Sequence, residues 1–162
     1  MAEAKREVER FWAKRGENSL REWKRVRNPL RVARNFLLIW TAKYAPSLRM
    51  KRMLYRLSGM KVGKGVSVGI GAVFDLFFPE MIEIGDNTII GYETLVLSHE
   101  FLQKEWRKGP VRIGKDVMIG ARSLIMPGVK IGDGAKVASY SLVNRDVEPG
   151  EFVGGIPIRK LS

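Results

Sequence analysis

A six-residue rhythm constrains this chain more than any other feature. From Ile84 the sequence falls into the blocks IGDNTI, IGYETL and VLSHEF, and after an interruption it resumes at Ile113 as IGKDVM, IGARSL, IMPGVK, IGDGAK, VASYSL and VNRDVE. Every block opens on Ile or Val, and five of the nine continue with Gly. Two more, VGKGVS and VGIGAV, start at Val62 and Val68. A fixed short period of this kind specifies a repeat architecture. One aliphatic residue in six points inward, and the small residue beside it lets the backbone turn a tight corner. Six residues per flat face and three faces per turn make a triangular prism, with Ile and Val stacked along its axis. The expected fold is mainly β, a parallel β-helix of about four coils over residues 61–162.

A chain of 162 residues suits one such domain plus an extension. The absence of cysteine excludes disulfides and thiolate metal sites. The longest apolar run near the N-terminus, FLLIW at 36–40, is too short to cross a bilayer, and Met1 leads into AEAKREVER rather than an apolar core. A cytoplasmic protein, soluble or membrane-peripheral, is the expectation. The net charge of +12 is unevenly placed: residues 1–60 hold 16 Lys or Arg against 5 Asp or Glu, and residues 61–162 hold 13 against 12. No carboxylate occurs between Glu22 and Asp75.

Residues 1–60 read as a basic amphipathic helical extension. Charged, helix-favouring residues over 3–16 predict a first helix, with Val8, Phe11 and Trp12 as its apolar patch and Gly16 as its stop. Ser19 followed by Glu22 reads as a capping box for a short second helix ending before Pro29. A third opens at Pro29 and places Leu30, Ala33, Leu37, Trp40 and Tyr44 on one face. A fourth, after Pro46, groups Met50, Met53, Leu54 and Leu57, leaves Arg49, Lys51, Arg52 and Arg56 on the remaining surface, and ends at Gly59. Such helices can cover the open end of the prism, or lie on an anionic membrane near a lipid-linked substrate. Nucleic acid is not the expected partner, because no base-reading motif accompanies the Lys and Arg residues.

Departures from the period mark the places where a rigid scaffold carries function. Val62 to Ile84 spans one 18-residue coil plus four residues, the excess lying in FDLFFPEM at 74–81 with Asp75 inside it. The second lapse, FLQKEWRKGPVR at 101–112, follows the only histidine, His99. The two lapses bracket that histidine and suggest a cleft roofed by a loop.

The run IEIGDNTIIGYETLVLSHE, a loop, then VRIGKDVMIGARSLIMPGVKIGDGAKVASYSLVNRDVEPGEFVGGIPIRKL resembles the hexapeptide-repeat acyltransferases, most closely the galactoside and maltose O-acetyltransferase branch. The resemblance implies a left-handed coil and a homotrimer with active sites at subunit interfaces. It also implies acetyl-coenzyme A as acyl donor, with no metal required. His99 takes the position of the family's general base, and direct transfer to an acceptor hydroxyl needs no covalent acyl-enzyme. Asp75 matches an acidic position near the acceptor. A backbone N–H around Gly120 and Ala121 is expected to meet the oxyanion. Small residues at Ala121, Ala138 and Ser139 are expected to admit the pantetheine arm. Asn144, Arg145 and Arg159 are placed at the adenosine and phosphate end, where arginine's forked donors suit phosphate. Glu100 and Asp75 both come into question for orienting His99; adjacent residues of an extended strand face opposite ways, which favours Asp75.

The basic extension does not match the sugar enzymes, so acceptor identity does not carry over. A sugar or lipid-linked glycan hydroxyl is the expected acceptor. N-acetylation of an amino sugar and a non-catalytic, membrane-associated scaffold of the same fold are the alternatives. A zinc carbonic anhydrase of this fold, drawing three histidines from two subunits, is not compatible with a single histidine per chain.

Overall fold

The computed structural model describes residues 6–162. The hexads wind into a three-faced prism whose parallel strands stack in register. The first face carries β2 (Lys61–Val62), β5 (Ile82–Ile84), β10 (Val111–Ile113) and β13 (Lys130–Ile131). The second carries β3 (Ser67–Val68), β6 (Ile89–Ile90), β11 (Met118–Ile119), β14 (Lys136–Val137) and β16 (Phe152–Gly154), with β17 (Arg159–Lys160) returning antiparallel on its edge. The third carries β4 (Val73–Phe74), β7 (Leu95–Val96), β12 (Leu124–Ile125) and β15 (Leu142–Val143).

The block-opening residues form the axis. Val62, Ile84, Ile113 and Ile131 make one column, Val68, Ile90, Ile119, Val137 and Val153 a second, and Phe74, Val96, Ile125 and Val143 the third. All are buried. Burying each aliphatic side chain contributes about 1.5–3 kcal/mol, so this column, rather than strand length, holds two-residue strands together.

The extension departs from its predicted form at the start. In place of the helix expected over 3–16, of which residues 3–5 lie outside the described residues, Glu9–Trp12 forms strand β1. It pairs antiparallel with β9 (Glu105–Lys108), which pairs with β8 (His99–Phe101). Phe11 stacks on Trp106 at 4.2 Å, a tertiary contact that overrides local helix propensity. Just before β1 the backbone runs tight against the prism. A Cβ on Gly128 would lie 2.5 Å from the Glu7 carbonyl oxygen. The capping box does not form either: Ser19 is buried and its hydroxyl donates to the Leu102 carbonyl, and residues 19–22 make a 3-10 turn before α1 (Trp23–Val26).

The last two predicted helices are present as α2 (Pro29–Tyr44) and α3 (Leu48–Leu57), capped by Asn28 and Ser47. Past α3, Gly59 at φ +108° closes a C-terminal turn in which Met60 N–H donates to the Tyr55 carbonyl. Their orientation is the reverse of what the apolar stripes suggest. Asn35, Ile39 and Ala42 of α2 face inward, while Leu30, Leu37, Trp40 and Tyr44 are 80%, 65%, 52% and 55% exposed. In α3 the inward residues are Tyr55 and Lys51, the latter expected on the surface; Met53 and Leu57 face out.

Hydrogen bonding explains the reversal. The first coil has no coil below it, so its carbonyls would be left open. Lys51 Nζ donates to the carbonyls of Lys43 and Gly69, and Arg52 to that of Val66. Arg56 donates to the carbonyls of Val62 and Gly63, and Asn35 to that of Leu76. Polar side chains of the extension thus finish the hydrogen bonding of the open end.

Candidate active site

His99 stands where the chain leaves the third face. After β7, Ser98 Oγ donates to the Phe78 carbonyl, and Gly109 N–H donates to the Ser98 carbonyl when the hairpin β8–β9 returns. Because Phe74 and Val96 are in register, the residues after them share one corner of the prism. That corner is where both lapses in the rhythm begin, and it brings Asp75 under His99.

The Asp75 carboxylate is fully enclosed, with no side-chain exposure. Oδ1 accepts from the backbone N–H of Phe77 and Phe78, at 2.8 and 3.0 Å. Oδ2 accepts from the N–H of Ser98 and His99, at 2.9 and 3.0 Å, and lies 2.5 Å from His99 Nδ1. Burial pushes this carboxyl up, but the hydrogen bond and charge of His99, joined by the Phe78 and Ser98 amides, outweigh it and hold Asp75 below the usual carboxylate range. An ionised carboxylate only accepts, so Nδ1 carries a proton, and in the neutral form of the ring the lone pair falls on Nε2. The histidine side chain is 12% exposed. The imidazole is thereby held in one orientation, with Nε2 as the nitrogen not engaged by Asp75.

Glu100, one residue on, points the other way and pairs with Arg6 at 3.1 Å and more loosely with Arg107. Aromatic rings flank the imidazole: Phe77 at 4.5 Å, Phe101 at 5.0 Å and Phe78 at 5.9 Å between ring centres, with Trp23 edge-on to Phe77. Sequence reasoning did not single out Phe77, Phe101 or Trp23. The doubled phenylalanine in the four-residue excess was the available signal for Phe77.

Asp75, expected beside an acceptor, instead lies behind the imidazole with no surface to offer one. Of the two amides expected at an oxyanion, that of Gly120 is committed to the Val137 carbonyl at 2.8 Å in the strand ladder. The Ala121 N–H makes no hydrogen bond among the described residues. Gly120 abuts Ser139, and Gly154 abuts Ala138, so Ala121, Ala138 and Ser139 lie together on the edge between the second and third faces. Asn144 and Arg145 follow β15 and share the His99 edge instead. Arg145 is held by Glu151 at 3.4 Å, and Arg159 is exposed on β17. Within one chain, then, the predicted site residues occupy two different edges of the prism. Two grooves among the described residues lie away from His99. One of about 760 Å³ lies between residues 12–18 and the hairpin tip, and one of about 600 Å³ runs along the edge between the first and second faces. No cluster of metal-ligating side chains occurs among the described residues.

A prism of hexads with an aspartate-held histidine at a looped corner defines a class, and comparison with known proteins names it. The family model for bacterial transferase hexapeptide (six repeats) matches residues 110–145. The Bacillus subtilis protein named "Putative acetyltransferase YvoF" is 53% identical over 131 residues, 80% of this chain and 76% of that protein. A Staphylococcus aureus protein of similar name, SAS0727, is 36% identical over 79% of this chain and 80% of its own. Among solved structures, the hexapeptide-repeat acetyltransferase VCA0836 of Vibrio cholerae, complexed with acetyl-coenzyme A, superposes with a TM-score of 0.65 at 25% identity, covering 82% of this chain and 86% of that one. Galactoside acetyltransferase in complex with coenzyme A gives the same TM-score at 21% identity, covering 83% and 80%. The chain belongs to the hexapeptide-repeat acetyltransferases, enzymes built on the left-handed parallel β-helix.

Proposed function

We propose that the protein is an acetyl-coenzyme A-dependent O-acetyltransferase in which His99 is the general base and Asp75 its positioning residue. The observation that carries this reading is the 2.5 Å contact between the enclosed Asp75 carboxylate and His99 Nδ1, at the corner where the repeat lapses. His99 Nε2 takes the acceptor's hydroxyl proton as that oxygen attacks the thioester carbonyl. The Ala121 N–H is the open amide for the oxyanion. The carbon–sulfur bond breaks, and the imidazolium returns the proton to the departing thiolate. The acetyl-coenzyme A held by the Vibrio cholerae relative supports this donor.

The active unit on this reading is a homotrimer. His99 and Ala121 stand on different edges of one prism, so a single reaction centre takes the histidine of one copy and the small-residue edge of the next. Coenzyme A then lies between copies, beside Ala138 and Ser139, with Asn144, Arg145 and Arg159 toward its phosphates. Phe77, Phe101 and Trp23 offer ring faces suited to the apolar face of a sugar. A sugar or glycan hydroxyl, presented on the cytoplasmic side, is the acceptor class this favours.

His99→Ala is expected to lower turnover by about 10²–10⁴-fold with coenzyme A affinity retained. Steady-state kinetics and calorimetry with acetyl-coenzyme A measure the two quantities. Unchanged turnover would remove His99 from the mechanism. Failure of the unaltered protein to bind acetyl-coenzyme A would leave a scaffold, and acetylation of amino sugars alone in an acceptor screen would replace the hydroxyl by an amine.

A further inference from the structure

We infer that the outward face of α2 docks on an anionic lipid bilayer, with the helix lying in the interface plane. Over its 16 residues α2 places Leu30, Ala33, Leu37, Trp40 and Tyr44 on one exposed stripe at helical spacing, and the inward face of the same helix is already engaged through Asn35, Ile39 and Ala42. Phe36, 43% exposed, extends the stripe and stacks on Trp40, which meets Tyr44 edge-on. Interfacial helices use this composition: large apolar side chains below, aromatic rings at headgroup depth and cations at the margins.

Charge selects the occupant. By helical spacing Arg31 and Arg34 border one side of the stripe and Lys43 the other, its ammonium 5.2 and 5.1 Å from the Trp40 and Tyr44 ring centres. With no carboxylate between Glu22 and Asp75, neither α2 nor α3 offers an anion to this margin. A second copy docking the same face would set cations against cations. Anionic headgroups neutralise them, each Lys or Arg near the surface adding to the attraction. Among the described residues no helix is long and apolar enough to cross a membrane, so the contact is peripheral. None of the stripe residues is among those assigned to acetyl transfer, and the test does not depend on that assignment.

The test is co-sedimentation of the full chain with vesicles of phosphatidylcholine, with and without phosphatidylglycerol. Partition is expected to be at least about tenfold stronger on the anionic vesicles and to weaken as salt is raised. The double variant Leu37→Glu/Trp40→Glu should lose that partition by about tenfold or more while keeping its melting temperature and its solution mass. Arg31→Glu/Arg34→Glu should weaken binding to the anionic vesicles only. Leu37→Ala, which adds no charge, gives the same direction if the double variant folds poorly. Equal partition on both vesicle types, or full binding by the folded variants, overturns the inference. A fall in solution mass in the Leu37→Glu/Trp40→Glu variant would make the face a contact between copies, and overturns it equally.

Discussion

At the scale of single residues, Asp75 ties the fold to the chemistry. Its two oxygens accept from four backbone N–H groups and from the His99 ring at Nδ1, so one carboxylate ties both lapses of the coil together and sets the tautomer of His99. Asp75→Asn keeps the shape but presents an amide NH2 to donors that need an acceptor. Turnover is expected to fall by about 10²–10⁴-fold through the lost tautomer, read as a kcat effect with little change in the KM for acetyl-coenzyme A. Stability should fall by about 2–4 kcal/mol in urea titrations at neutral pH. The carboxyl's pKa is lowered on folding, so its stabilisation is present above the ordinary carboxylate range and is lost as pH falls through the lower folded value. Urea midpoints between neutral and strongly acid pH should therefore drop toward acid in the unaltered protein, with a shallower acid limb in Asp75→Asn.

At the scale of elements, two kinds of packing are at work. The prism is held by its aliphatic columns. Ile90→Ala, at a fully buried rung, should cost about 2–5 kcal/mol, measured by equilibrium unfolding. The helices are held by hydrogen bonds to the open first coil. Arg56→Ala removes contacts of 2.8, 2.6 and 3.2 Å to the Val62 and Gly63 carbonyls, and is expected to cost about 1–2 kcal/mol. Amide exchange in α3 and the following turn should rise with it, while β11 and β12 stay protected. The prism was legible in the hexads because its period is local: each block opener reappears in the column its spacing assigns. The helices' orientation was not legible. An apolar stripe says which residues share a face, but which face turns inward was decided by open carbonyls of the first coil, at Val62, Val66 and Gly69, outside the helices themselves.

At the scale of the whole molecule, the separation of His99 and Ala121 onto different edges gives assembly a measurable consequence. Light scattering of the purified protein should report about three times the 18.4 kDa of one chain, and specific activity should fall on dilution below the dissociation range. A monomer with full activity would remove the shared site. The hairpin beside His99 belongs to the same scale. It is closed by β1, a segment more than eighty residues away in sequence, so residues 9–12 take part in shaping the corner that holds His99.

What the sequence determined by itself was the coil: its period, its axis and the corner where His99 leaves it, all set by spacing along a continuous stretch of chain. His99 was identifiable because it stands where that spacing breaks. What only the tertiary structure decided was the relation between segments that spacing does not connect. Asp75 turned inward beneath the imidazole because four backbone N–H groups converge on that corner. Residues 9–12 became a strand because β9 offered an edge and Trp106 a ring to stack on. Lys51 was buried because open carbonyls needed donors, and Asn35 turned inward to the Leu76 carbonyl, which leaves Leu37 and Trp40 facing out. Periodicity reports a residue's neighbours along the chain, whereas hydrogen-bond satisfaction is settled only when the chain has closed on itself.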